Sequence, residues 1–200
     1  MDYHSFLRSR RSVRHFKPGD IPDSIIQRII GTAAYAPSAH NRQPWRFCVL
    51  KHAEAKYRLA AAMADEFRND LIRDDLSDAD VTSRVEQSRY RITASPLVIV
   101  LCMDTSEMDA YPDARRGQAE RTMTIQSAAA AGLQLLLAVH AEGLAGVWTC
   151  GPLFAPQAVR SALGLDACWE PQAMFFIGYP AGEPKPKDLK PLEAVVRYIA

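Results

Sequence analysis

Pro37-Ser38-Ala39-His40-Asn41-Arg42-Gln43-Pro44, running directly into Trp45-Arg46-Phe47-Cys48-Val49-Leu50, is the stretch on which the fold turns. Upstream of it, Ile25, Ile26, Ile29, Ile30, Ala33 and Ala34 recur at helical spacing. Asp20 or Asp23 is placed to cap that helix, with Pro22 near its first turn. Tyr35-Ala36-Pro37 ends it, because a proline disfavours helical geometry in the residue before it. Downstream, residues 45–50 read as a strand. The segment is therefore a helix, a stiffened loop and a strand. Pro37 and Pro44 lower the entropy of holding the loop, and Asn41 and Gln43 carry both donors and acceptors. That combination suits the edge of a planar polar ring. The same residue types also serve simple helix-to-strand connections.

Working toward the N-terminus, Arg8, Arg10, Arg11 and Arg14 fall within seven residues, with Ser12 among them. Guanidinium groups supply charge-assisted, bidentate donors, the chemistry a phosphate needs. Residues 2–15 are expected to form a short helix ending before Lys17-Pro18-Gly19, which would place Arg10 and Arg14 on one face. A solvated basic face fits the same cluster. Taken with the Pro37–Trp45 segment, the pattern points to an enzyme that grips a nucleotide-like cofactor at both ends.

Working toward the C-terminus, residues 53–95 are rich in Ala, Arg, Glu and Asp and read as helices broken near residues 74–80. Their charge density predicts an exposed helical flap over a pocket. Pro96 to Cys102 is a continuous apolar run, the mark of a buried strand. Glu120 to Ala141 reads as the longest helix, apolar nearly all round, so it must be buried centrally or against a second subunit. Gly143 to Trp148 reads as a helix stop and a short strand, and Gly146 to Pro152 as backbone able to approach a ligand. A helix over 156–163, a strand over 173–179 and a final strand over 192–199 complete a single α+β domain spanning 1–200.

Composition narrows the function. Two hundred residues with a formal charge of +1 exclude the broad basic excess of a nucleic-acid binder. Cys48, Cys102, Cys150 and Cys168 have no metal or redox spacing, which fits a reducing, cytoplasmic setting. Nothing at the N-terminus reads as a secretory leader, and Thr122 to Val139, holding Gln126, Ser127 and Gln134, is too polar for a membrane span. No metalloprotease, nucleophile-elbow, phosphate-loop or dinucleotide signature occurs. His40 is expected to line a pocket.

In order along the chain, Arg10-Arg11-Ser12-Val13-Arg14, Pro37-Ser38 through Asn41 to Gln43-Pro44-Trp45, the long apolar helix, the Gly143–Trp148 turn and the Lys-Pro-Leu-Glu ending resemble the nitroreductase family of flavin enzymes. The resemblance implies an α+β sandwich, with a mixed or antiparallel central sheet flanked by helices and a long central dimer helix. It implies a homodimer with one FMN in each of two interface sites. Arg10, Arg11, Ser12 and Arg14 would hold the phosphate and ribityl chain. Pro37, Ser38, Ala39, Asn41 and Gln43 would come from the other subunit to the ring, and Cys150, Gly151 and Pro152 would approach its reactive edge. Lys187 would add to the phosphate site, with Lys185 and Lys190 as further charge. Leu189 stands where the family often carries an arginine. The implied activity passes electrons from NADH or NADPH through the flavin to a small acceptor such as a nitroaromatic or quinone, in alternating half-reactions with no side-chain nucleophile. Residues 108–116 and 150–154 further resemble the reductase domain of the enzyme that completes the deazaflavin redox coenzyme. That implies reduction of a deazaflavin precursor as an alternative. Flavin-destroying or dehalogenating chemistry and a non-catalytic flavin-sensing dimer are the other readings.

Overall fold

The apolar run around residue 100 demands cover on both faces, and the computed structural model, which describes residues 2–184 and 186–199, supplies it. β2 (Leu97–Asp104) is buried along its whole length. β1 (Trp45–Leu50) and β4 (Trp169–Gly178) flank it, and β3 (Ala145–Thr149) lies outside β4, giving the order β1-β2-β4-β3. Every pairing is antiparallel, with Val98 opposite Phe176 and Val147 opposite the same residue from the other side. Alternation along β2 divides the interior into two layers. Leu97, Ile99 and Leu101 face α2 (Asp23–Ala33) and α5 (Ala114–Ala141), together with Phe175 and Ile177. Val98, Val100 and Cys102 face the other way, onto α3 (Ala53–Arg73) and α6 (Pro156–Leu163).

The all-round apolar character of α5 has two explanations in the fold. Ala131, Leu135, Leu136, Ala138 and Val139 pack into the first layer, whereas Leu133 is 53% exposed. The helix is long and apolar enough to cross a membrane by length and composition, yet half of its most apolar window is buried in the fold of this chain. Asp113 caps it by accepting from the Arg116 amide, so it begins six residues earlier than its apolar pattern does.

Three expectations are corrected. The first helix, α1 (Tyr3–Ser9), ends at Ser9, so Arg10 to Phe16 is not helical and Arg10 and Arg14 share no helix face. Instead the segment bridges to Gly146 through Ser12 and to Pro180 through Phe16, because these backbone groups complete the sheet edge beside β3. Residues 53–95 are two helices broken where the composition suggested, α3 and α4 (Asp78–Ala94), but they are not merely an exposed flap. Leu59, Ala60, Met63, Leu71, Val81, Val85 and Ile92 are buried between them and against the sheet. Residues 192–199 form no strand: Leu192–Ala194 is a single tight turn, and Leu192, Val195 and Ile199 are exposed.

Candidate functional site

Sequence-distant segments converge on the edge of β3. Val13 donates its amide to the Gly146 carbonyl at 3.2 Å, Lys17 to Tyr179 at 2.8 Å and Ala181 to His15 at 3.1 Å. Glycine keeps space open here at two points, tightly against β4 at Gly146 and by necessity against the approaching segment at Gly178. A Cβ on Gly146 would lie 3.1 Å from the Phe176 carbonyl oxygen, and one on Gly178 would lie 2.8 Å from Phe16 Cβ. The extended segment, with Ala181, Gly182, Glu183, Pro184, Pro186 and Lys187, lines a cavity of about 730 Å³. Arg10, Arg11, Ser12, Arg14 and Lys187 all line it, so five residues singled out in the sequence are brought together. Lys190 is not among the lining residues, and Lys185 lies outside the described residues. Glu183 also lines the cavity and sets one carboxylate among the cations, a neighbour that charge clustering in the sequence did not reveal.

The electrostatics of this cavity are incomplete within the chain. Arg10 Nη1 is buried with no hydrogen-bond partner. Arg11 turns onto backbone, its Nη1 donating to the Arg10 carbonyl at 2.9 Å. A buried guanidinium nitrogen without an acceptor carries a desolvation cost of about 1–3 kcal/mol or more. A bound anion such as a phosphate removes that cost, and the donor set fits one.

His140, at the end of α5, supports this segment from below. Its Nε2 lies 2.7 Å from Ser9 Oγ, and its ring stacks on Phe6 with centroids 4.9 Å apart. Burial, then the charges of Arg10 and Arg11, hold its imidazole below the ordinary value of 6.5. The folded state therefore binds that proton less readily than the unfolded chain. Stability from this group is full above about 6.5 and is lost as pH falls through the lower folded value. Between about pH 8 and pH 5, denaturant midpoints should fall for the wild type, and less so for His140→Gln. Equal slopes in the two proteins would discount the group.

The Pro37–Gln43 loop is built separately. Ala39 donates its amide to Ser127 Oγ at 3.2 Å, and the Gln43 amide donates to Ser38 Oγ at 3.0 Å. His40, Asn41 and Gln43 adopt φ of 52°, 54° and 52°. Asn and His tolerate this left-handed region; Gln seldom occupies it, and such strain gathers at functional sites. Asn41 and Gln43 are exposed, and Gln43 Nε2 donates to Asn41 Oδ1 at 3.3 Å and to the Asn41 carbonyl at 3.5 Å. His40 is exposed and lines neither the arginine cavity nor the cavity between α3 and α4. Ser127 and His140, which anchor the two halves on α5, are thirteen residues apart, about 20 Å along a helix. One chain thus keeps the amide loop and the arginine cavity apart.

The third predicted element lies at the far end of β3. Cys150 is exposed, Pro152 is buried, and Trp148 Nε1 sits 3.2 Å from Cys150 Sγ. From Gly146, beside Ser12, to Cys150 is four extended residues, about 13 Å. β3 therefore connects the arginine cavity to the Cys150–Gly151 turn along one edge.

Residues 7–179 match the Nitroreductase family. The chain is 28% identical to an NADH dehydrogenase of Thermus thermophilus, over 98% of this chain and 95% of that protein. Its fold is similar to that of a BluB-like flavoprotein from Clostridium difficile, with a TM-score of 0.83, 23% identity and full coverage of both chains. It is also similar, with a TM-score of 0.76 and 22% identity, to a protein of Desulfovibrio desulfuricans assigned as a nitroreductase and determined in complex with FMN, covering 100% of this chain and 98% of that one. The antiparallel sheet, the central α5 and the match over residues 7–179 place this chain in the Nitroreductase family.

Proposed function

We propose that the protein is an FMN-dependent NAD(P)H oxidoreductase, active as a cytoplasmic homodimer, that reduces a small organic acceptor. The observation that carries this reading is the arginine cavity with its unpartnered Arg10 Nη1, connected by β3 to the Cys150–Gly151 turn. Arg10, Arg11, Ser12, Arg14 and Lys187 would hold the phosphate and ribityl chain. Backbone at Cys150, Gly151 and Pro152 would border the ring, with Pro37, Ser38, Ala39, Asn41 and Gln43 of a second copy closing over it. The 20 Å separation of the two halves on α5 supports a site completed by two copies, as do the exposed apolar Ile125 and Leu133. A bound flavin supplies reversible two-electron chemistry, taking a hydride from reduced nicotinamide and delivering electrons to the acceptor. This chain contributes binding, orientation and hydrogen bonds to the charge that develops on the ring. No side chain is assigned a covalent role.

The narrower deazaflavin-precursor reading draws on residues 108–116 and 150–154. Asp113 caps α5 and Arg116 lies 5.1 Å over the Tyr111 ring, so part of that resemblance is accounted for by local structure. The broader activity is the reading adopted. Purified protein should show visible flavin absorbance that bleaches on anaerobic addition of NADH or NADPH. A colourless protein that does not take up added FMN would overturn the assignment; retained colour without turnover of any acceptor would favour a sensor.

A further inference from the structure

Among the described residues, three of the four non-glycine positions at positive φ fall in the amide loop, at His40, Asn41 and Gln43. Gln43 tolerates that conformation least, so contacts outside the residue must hold it there. Both of its peptide groups are gripped. Its amide donates to Ser38 Oγ, and its carbonyl accepts from Arg46 Nη1 at 3.0 Å. The same guanidinium nitrogen donates to the Trp45 carbonyl at 3.1 Å. The carbonyl between them, on Pro44, accepts the Asp104 amide at 2.7 Å. Three successive carbonyls are thus fixed in direction, and the backbone torsions of Gln43 are held from both sides.

Arg46 serves as a fixed post because its other nitrogen is anchored. It stands on β1 opposite Cys102, with Nη2 2.8 Å from Asp104 Oδ2 and 2.9 Å from Glu107 Oε1. Asp104 is buried at the end of β2. Burial raises its carboxyl, but hydrogen bonds from Ser106 and Cys168 and the charge of Arg46 outweigh that and hold it below the ordinary 3.8. The anchor is therefore ionised at neutral pH. A second tie runs beside the first. Arg42 pairs with Asp109, whose amide donates to Glu120 Oε1 on α5 at 3.2 Å. Glu120 is buried with its Oε2 unpartnered, a burial that costs stability and holds this connection in place. Partly exposed ion pairs add little to stability, so an arginine joined to two carbonyls and two carboxylates is a device for geometry. Lysine, with one nitrogen at its tip, lacks the planar fork that serves both sets at once.

We propose that Arg46 is the positioning residue of the amide loop: it locks Gln43 in the left-handed conformation and so sets the direction in which Asn41 and Gln43 present their amides. That those amides meet a flavin ring rests on the function proposed above; the lock does not. Two measurements separate the statements. The first is hydrogen exchange on the full chain as purified, read by mass spectrometry of its peptides. Arg46→Lys keeps a cation beside Asp104, so the fold should persist while the carbonyls are freed. Exchange over residues 38–46 should quicken at least tenfold, with residues 97–101 unchanged. Glu107→Gln, which weakens the anchor alone, should quicken it less. Arg28→Lys, at a bidentate pair with Glu142 away from the loop, should alter nothing. The second measurement is the midpoint potential of the FMN-loaded protein. Misdirected amides in Arg46→Lys should weaken binding of reduced relative to oxidised flavin about tenfold, a fall of about 30 mV for two electrons. A residue that only stabilised the fold would leave that potential where it is. Unchanged exchange in Arg46→Lys, or equal quickening in Arg28→Lys, overturns the lock. Quickened exchange with an unchanged potential overturns the positioning role at the flavin. Quickened exchange in a protein that takes up no FMN upholds the lock and removes the oxidoreductase reading.

Discussion

The double variant Arg10→Ala, Arg14→Ala should release FMN while keeping its fold. Each charge-assisted hydrogen bond to a phosphate contributes about 1.5–3 kcal/mol. Losing two raises the dissociation constant roughly 10²–10⁴-fold. The fold should persist because neither residue holds it together: Arg14 is exposed and makes no ion pair among the described residues, and Arg10 Nη1 has no partner. Removing the buried, unpartnered Arg10 Nη1 relieves a desolvation cost, so the apoprotein should melt no lower than the wild-type apoprotein. Flavin fluorescence titration measures the first effect and circular dichroism the second. Full flavin occupancy in the double variant would return the arginine cluster to a solvated face.

The largest loss of stability should come from Phe175→Ala, at about 3–5 kcal/mol. Phe175 is fully buried in the layer between the sheet and α5, and its ring meets Trp148 edge-on with centroids 5.0 Å apart. For a chain of this length such a loss corresponds to roughly 6–20 °C in Tm. The site should feel it too. Trp148 and Phe175 both pack against Gly132, and the Trp148 indole nitrogen reaches Cys150 Sγ. Losing the supporting ring should let the indole shift and loosen the Cys150–Gly151 turn. Tryptophan emission should therefore move to the red and flavin affinity should fall at temperatures where the variant remains folded. A Tm within about 2 °C of wild type would show that the layer repacks around the gap.

The two effects separate the roles of the layers. The α2–α5 layer positions Trp148 and the turn after β3, and its removal should act on stability first. The arginine segment adds little to the core and should act on cofactor binding first. Crossing the two sets of substitutions should give nearly additive losses of flavin affinity, since they lie at opposite ends of β3.

Local chemistry made several elements legible in the residues themselves. Trp45–Leu50, the break between α3 and α4, and Pro156–Leu163 follow from periodicity, proline placement and apolar runs, which depend only on neighbouring residues. The arginine cluster and Lys187 were recognisable by charge and order, and the loop at Pro37–Gln43 by its prolines and amides. Tertiary structure decided the rest, because pairing partners and burial lie far away in sequence. Arg10–Phe16 leaves the helix because the edge at Gly146 and Pro180 offers its backbone partners. Residues 53–95 become half core because the sheet provides a face for Leu59 and Met63. A cavity lined by Met63, Phe67 and Phe176 exists only where α3, α4, the sheet and the turn after β3 meet. The residues by themselves carried the charges and amides that suit a phosphate and a ring; only the tertiary structure anchored the two segments at points on α5 thirteen residues apart, about 20 Å along a helix.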